Sequence, residues 1–316
     1  MKATTLKPYL AWASVCIFWG TTYLAIRVGV ESLPPALFAG TRFLLAGLLF
    51  LPILRLRGYA LPSRRDLKDL AVVGLLLLGV GNGTLVWAEQ WVPSGLAALI
   101  VATLPFWTVA LEALLPHGAK WSLGKVLGIV VGFGGLLLLL WPERKGALNP
   151  AFLKGVFILF LATVSWGAGS LYAQYRRVTT APLMAAAVQM LLAGAVMTGL
   201  GLALGEAQHW VWDWRGLAAL AYLLVFGSLL GYVAYIYALA HLPAAFVSTY
   251  AYVNPVIAVF LGWLLLDERL DVWMLLGTAA ILFGVLLVRA GSFTSGRPSR
   301  RAVQPQATKP EVTEIR

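Results

Sequence analysis

One cysteine, Cys16, and three histidines are all that this chain of 316 residues offers to thiol or metal chemistry. A single cysteine excludes an intrachain disulfide and any multi-cysteine metal site. His117, His209 and His241 stand far apart at the ends of apolar runs. No metal-ligand spacing, nucleophile elbow or phosphate loop accompanies them, so catalysis has no motif behind it and primary pumping would need an ATP-binding partner. Charge is scarce as well. Asp, Glu, Lys and Arg make up 12% of the chain, against roughly 25% in a soluble domain. No small-residue cleavage site follows the first apolar run, which is therefore expected to be a retained helix.

What fills the chain instead is apolar. Hydrophobic residues are 60% of it, and the mean hydropathy is +0.83. The apolar residues gather in runs of about 20, the length that crosses a hydrocarbon core of about 30 Å as a helix. The runs do not alternate as barrel strands do, which leaves helices. Ten spans are predicted, at 9–30, 33–54, 70–91, 93–115, 123–141, 153–173, 182–204, 217–239, 244–266 and 272–289. Residues 291–316 are polar and read as a disordered tail. The net charge of +11 fits topology signals better than nucleic acid. With the N-terminus in the cytoplasm, 17 Lys and Arg fall inside and 5 outside, so both termini are expected in the cytoplasm.

The chain is duplicated. Trp19-Gly20 recurs as Trp166-Gly167, Pro35 as Pro182, and Leu44-Leu45-Ala46-Gly47 as Leu191-Leu192-Ala193-Gly194, all 147 positions apart. Pro93 and Pro105 recur 150 positions on as Pro243 and Pro255. Repeats of this kind decide the fold. Five spans per repeat is an odd number, so the second half enters the membrane from the opposite side. The fold class is an all-α membrane protein with ten transmembrane helices in two inverted five-helix repeats, 8–142 and 151–290. Secondary transporters use that arrangement to exchange outward-open and inward-open states.

Helix rise places Trp19, Trp166, Pro105 and Pro255 about 15–18 Å deep, near the midplane. A proline there frees a carbonyl, which lipid tolerates only beside protein or a cavity; paired helix breaks are the predicted substrate site, with simple kinking as the alternative. Arg42 is the most costly residue, about 2.5–3.5 kcal/mol at a helix centre. It is expected to line or gate a cavity with its repeat mate Gln189, the alternative being a structural arginine that bridges carbonyls. Asn82, Trp87, Glu89 and Gln90 form a polar group in the third span. Tyr232, Tyr235, Tyr237, Tyr250, Tyr252 and Asn254 cluster in the eighth and ninth. Aromatic rings there can stack on a flat or apolar solute or hold a cation. Arg27 is expected to pair with Glu31 at i, i+4, and Glu112 to face inner water. Gly128, Gly132, Gly134 and Gly135 read as a helix-packing face. No acidic residue falls at the midplane, which favours facilitated transport over ion coupling.

The opening Trp19-Gly20-Thr21-Thr22-Tyr23, the Leu33-Pro34-Pro35 turn followed by Arg42, and the run from Ser248 through Asn254-Pro255 to Asp267-Glu268 resemble the EamA family of the drug/metabolite transporter superfamily. Val80-Gly81-Asn82-Gly83 and Val92-Pro93-Ser94-Gly95 are similar to the YedA-type exporters within it. The resemblance covers residues 8 to 290. The family often has a Gly-Glu pair after helix nine, where this chain has Asp267-Glu268. The resemblance implies a multi-pass carrier of the bacterial inner membrane, with helices one to four and six to nine around a cavity and five and ten at the edge. It implies export of amino acids, other metabolites or drugs. The resulting expectation is a secondary carrier by alternating access, with Trp19, Tyr23, Arg42, Asn82, Trp87, Pro105, Trp166, Gln189, Tyr235, Tyr250, Asn254 and Pro255 at the cavity. No cofactor or metal is expected; the partners are a small-molecule solute and the lipid bilayer. Oligomeric state stays open, with a monomer among the alternatives. A receptor or scaffold that transports nothing, and a carrier working in uptake, are the competing readings.

Overall fold

The computed structural model describes residues 6–115, 122–140, 149–176, 178–242, 244–247 and 249–294, and among these it is helical with no strand. Ten helices follow one another: α1 (Lys7–Gly29), α2 (Pro35–Leu56), α3 (Arg64–Ala88), α4 (Ser94–Ala113), α5 (Leu123–Leu140), α6 (Pro150–Tyr175), α7 (Pro182–Ala203), α8 (Trp214–His241), α9 (Tyr250–Leu266) and α10 (Val272–Thr294). Seven of them are long and apolar enough to cross a membrane, and α5, α9 and α10 add shorter apolar stretches. Proline stands in the first turn of α1, α2, α6 and α7, where its missing N–H costs nothing. Ser63, Asn149 and Asp213 cap α3, α6 and α8 through their side chains.

Three boundaries differ from expectation. Helix α3 starts at Arg64, six residues early, because Ser63 caps a charged first turn that an apolar window passes over. Helix α10 runs through Thr294, so the first residues assigned to the tail are helical; 295–316 lie outside the described residues. The two proline breaks are also not matched. In α4 the chain breaks at Ala102–Thr103, just ahead of Pro105, which opens the second segment, Leu104–Ala113. Pro255 instead lies inside an unbroken α9. The interruption comes earlier, between the single turn Ala244–Val247 and Tyr250. As the sixth residue of its helix, Pro255 costs only one near-terminal hydrogen bond, to the Ala251 carbonyl.

Helices α3 and α8 carry wide π turns at corresponding places, Leu75–Asn82 and Leu223–Tyr232. Such turns bulge the backbone and recur at functional sites.

In lipid, helices associate through close packing of small residues. Helix α2 lies antiparallel along α7, and the contacts are reciprocal. A Cβ on Gly47 would sit 2.6 Å from the Leu191 nitrogen, and one on Gly194 would sit 2.2 Å from the Leu44 nitrogen. Gly40 meets the Thr198 backbone and Gly201 meets Leu37 in the same register. Helix α5 packs antiparallel along α10, with Gly128 against Gly284 and Gly135 against Ala280. Gly132 faces the Phe106 ring and Gly134 faces open space, so the glycine face of α5 uses three of its four residues. The α5–α10 pair meets the rest of the bundle through two clusters, Phe106 with Val285 and Val288, and Leu136 with Ile281 against α4 and α6.

Carboxylates from one half hold helix N-termini of the other. Asp66 accepts four hydrogen bonds from the backbone N–H and hydroxyl groups of Thr179 and Thr180, at 2.7–3.1 Å, ahead of α7. Glu206 accepts from the N–H groups of Ala36 and Leu37 on α2. Glu268 accepts from Ser94 N–H and Oγ–H at 2.7 Å and from Gly95 N–H at 3.0 Å on α4. It is aimed there by Asp267, which ends α9 with φ 53, the left-handed turn where glycine is favoured and Asp tolerated. Each contact joins donors at a helix N-terminus to a negative charge. Asp66→Ala removes four acceptor bonds at once and is expected to lower the melting temperature of the purified protein by several degrees, while the exposed Arg64→Ala leaves it unchanged. Equal melting of all three proteins would deny the contact its weight.

Candidate functional site

The two tryptophans of the duplicated runs meet at the centre. Trp19 and Trp166 stand edge to face with ring centres 5.3 Å apart. Each packs on a glycine of a π turn in the other half: Trp19 on Gly231 and Trp166 on Gly81. The Trp19 indole N–H donates to the Gly227 carbonyl at 3.1 Å, and Ser165 Oγ–H donates to the Leu76 carbonyl at 2.7 Å. The bulged turns thus expose carbonyls that side chains of the opposite half collect.

Beside this pair lies a cavity of about 50 Å³. Drug-sized ligands occupy roughly 300–1,000 Å³, so the walls here are drawn together around space for a few waters. Helices α1 to α4, α6, α8 and α9 all contribute. Arg42 on α2 is 3% exposed. Its Nε donates to Ser228 Oγ at 2.8 Å across the π turn of α8, and its Cζ lies 4.6 Å from the Phe43 ring centre. A Cβ on Gly227 would sit 2.5 Å from its Nη2, so a side chain there would push the guanidinium aside. Its Nη1 is buried with no hydrogen-bond partner. Asn82 Oδ1, on the same cavity wall, is likewise unpartnered. Tyr250 and Tyr232 close the aromatic side, and the Asn254 amide nitrogen ties α9 to α1 through the carbonyls of Tyr250 (3.2 Å) and Cys16 (3.0 Å).

Of the residues singled out in the sequence, Trp19, Tyr23, Arg42, Asn82, Trp166, Tyr250 and Asn254 line this cavity. Tyr235 stands one layer behind, packed on Trp19 and Trp166 and sharing a 2.9 Å hydrogen bond with Ser170. Gln189 also stands behind, accepting from Tyr232 at 2.7 Å. Trp87 does not reach it: it is 42% exposed, under the Lys154 ammonium on the bundle surface. Pro105 and Pro255 are buried in α4 and α9 without lining the cavity. Tyr237 stacks on His241 and Tyr252 packs towards α4 and α5, both away from the cavity. Arg27 does not pair with Glu31; it donates to the Glu89 carbonyl. Glu112 is half-buried and accepts from Tyr175 at 3.4 Å.

Ser228 and Gly227, the partners of Arg42, were not anticipated. The sequence signal was weak, a Gly-Ser pair inside an apolar span. The cavity walls offer an unpartnered guanidinium N–H, an unpartnered amide oxygen, the unpartnered Trp166 indole N–H and several aromatic faces. They carry no carboxylate and no thiol. The arrangement can grip a polar or acceptor-bearing group at one end of a small molecule and stack against its body.

The EamA-like transporter family matches residues 6–141 and again 153–290. Over 294 residues the chain is 41% identical to the "Uncharacterized inner membrane transporter YedA" of Escherichia coli K12, covering 92% of each. It is 26% identical to the "Uncharacterized transporter YoaV" of Bacillus subtilis over 92% of this chain and 99% of that one. A solved crystal structure 19% identical in sequence shares the fold, with a TM-score of 0.65 over 90% of this chain and 98% of its own.

Proposed function

Since the chain belongs to the EamA-like transporter family and is a multi-pass inner-membrane protein, we propose that it is a secondary carrier that exports a small organic solute by alternating access. The observation that carries this reading is the set of unpartnered polar groups, Arg42 Nη1, Asn82 Oδ1 and Trp166 Nε1, lining one aromatic cavity between the two halves. Buried groups left unpaired cost about 1–3 kcal/mol each. A solute that bonds them regains that energy, and a solute bearing a carboxylate or another acceptor suits the guanidinium. The walls must part to admit it, which binding at a site shared by both halves accomplishes.

In this reading residues 8–142 and 151–290 are inverted repeats, both termini are cytoplasmic, and 291–316 is a cytoplasmic tail. The antiparallel, reciprocal packing of α2 on α7 and of Trp19 and Trp166 on each other's π turns supports the inversion. In a Cys16→Ser background, single cysteines at Glu31 and Arg64 are expected to react with a membrane-impermeant reagent from opposite faces. Reaction from the same face would break the inverted arrangement.

The function is tested by profiling solutes in the medium of cells that overproduce the protein, against cells with empty vector. Saturable efflux of the enriched solute from liposomes holding the purified protein is the expected result. Uptake by the cells would reverse the direction, and no flux together with a co-purifying protein would favour a receptor or scaffold.

A further inference from the structure

Glu89 has no part in the cavity described above. It stands at the C-terminal end of α3, one turn beyond the cavity-lining Leu85, and is 0% exposed. Both of its carboxylate oxygens are buried and have no hydrogen-bond partner among the described residues. Arg27, the nearest cation on α1, spends a guanidinium N–H on the Glu89 backbone carbonyl instead. Tyr23 of α1 stands near Glu89 and itself lines the cavity. Glu268 approaches from the α9–α10 turn, engaged with the N-terminus of α4. Lys154 of α6 lies nearby, with its ammonium 4.7 Å from the Trp91 ring centre. No salt bridge joins any of these to Glu89 among the described residues.

An ionised carboxylate in such a place lacks both water and a partner, and a buried group of that kind neutralises by taking a proton. With no water, no donor and the Glu268 carboxylate close by, the neutral form of Glu89 is favoured in this arrangement. Close by is the seam where Glu268 of the second half meets Ser94 and Gly95 of the first.

We propose that Glu89 is a proton-binding site that couples closure of the outer seam to the solute cavity beneath it. With the seam closed the carboxyl is neutral and holds a proton taken from outer water. When the seam opens, water reaches it, the proton returns to solution, and Arg27 stands ready to face the carboxylate. The closed form binds the proton more tightly, so acid favours closure. Between the open-form value, near the ordinary glutamate pKa of about 4.3, and the raised closed-form value, each pH unit shifts the closed-to-open ratio towards open by up to about tenfold. The link to transport rests on the carrier reading; the proton site does not.

Two measurements on the full chain in lipid nanodiscs test this. The first is the infrared carbonyl band of protonated carboxylic acid. Near neutral pH the native protein is expected to show one such group that Glu89→Gln lacks and that ionises well above the ordinary glutamate range. No difference between the two proteins, or ionisation at the ordinary glutamate pH, overturns the site. The second is labelling of a cysteine at the buried Val92 by an impermeant maleimide, in a Cys16→Ser background and normalised to a cysteine at the exposed Glu31. From about pH 6 to pH 8 the labelling is expected to rise several-fold in the native background and stay flat with Glu89→Gln. The same pH profile in both overturns the coupling. A neutral-pH infrared band with no solute flux in liposomes would leave the proton site standing and remove the carrier reading alone.

Discussion

Arg42→Leu is expected to cut solute transport by about one to two orders of magnitude while leaving the protein at least as stable as its parent. The two effects separate because Arg42 is held against its own insertion cost. An arginine at a helix centre costs about 2.5–3.5 kcal/mol, and here a single side-chain hydrogen bond, to Ser228, and a contact with the Phe43 ring offset it. Leucine removes that cost, and the Ser228 hydroxyl can turn to a carbonyl one turn back on α8. What leucine cannot supply is a charged donor to the solute, worth about 1.5–3 kcal/mol, hence the size of the transport loss. Arg42→Lys keeps the charge but loses the planar fork that reaches Ser228 with one nitrogen and the cavity with another, so it should transport weakly. Thermal unfolding in detergent and flux of the identified cargo are read on the same preparations. If melting temperature and transport fall together in Arg42→Leu, the arginine is a structural bridge and not a solute contact.

The second large effect is on assembly. Gly194 and Gly199 lie on the same helix, one turn and a half apart, and alanine at the two should act with opposite sign. A Cβ on Gly194 would sit 2.2 Å from the Leu44 nitrogen, a distance no Cβ tolerates against backbone, so α2 and α7 must separate. Overpacking of that kind costs about 1–3 kcal/mol, and more where backbone blocks relief. A Cβ on Gly199 meets nothing within 4 Å. There the gain in helix propensity, about 0.8–1 kcal/mol in water, stands alone. Gly194→Ala should therefore unfold earlier and run partly as aggregate in size-exclusion chromatography, while Gly199→Ala should melt at or above the parent. Equal behaviour of the two variants would mean that the seam relaxes freely and does not set the helix pairing.

These contrasts also show what could be read without coordinates. The repeated Leu-Leu-Ala-Gly runs mark both sides of the α2–α7 seam, since small residues admit close approach wherever they face a neighbour. The central tryptophans were legible for the same reason, at one depth and in matched runs. Trp87 was misplaced although periodicity argued against it. At about 100° per residue it lies about 140° round the helix from Asn82, on the side that meets lipid. The partner of Arg42 was not legible. It depends on a π turn at Leu223–Tyr232 that rotates Gly227 and Ser228 inward, and no residue propensity separates that turn from ordinary helix. The interruption of the ninth span was sought at Pro255 because proline is the residue known to break helices. It fell instead ahead of Thr249, where the chain makes a tighter turn, from the Thr249 N–H to the Phe246 carbonyl, before α9 begins.

The carboxylates that hold foreign helix ends impose an order on biosynthesis. The N–H groups of Ala36, Leu37, Ser94 and Gly95 find their acceptors 169 to 174 residues further along the chain. At a synthesis rate of about 5–20 residues per second, those donors wait roughly 10–35 s for Glu206 and Glu268 to leave the ribosome. Until then the N-termini of α2 and α4 lack these acceptors, and the glycines of α2 lack the α7 backbone they pack against. A nascent chain stalled before residue 206 thus exposes helix ends that the finished protein covers.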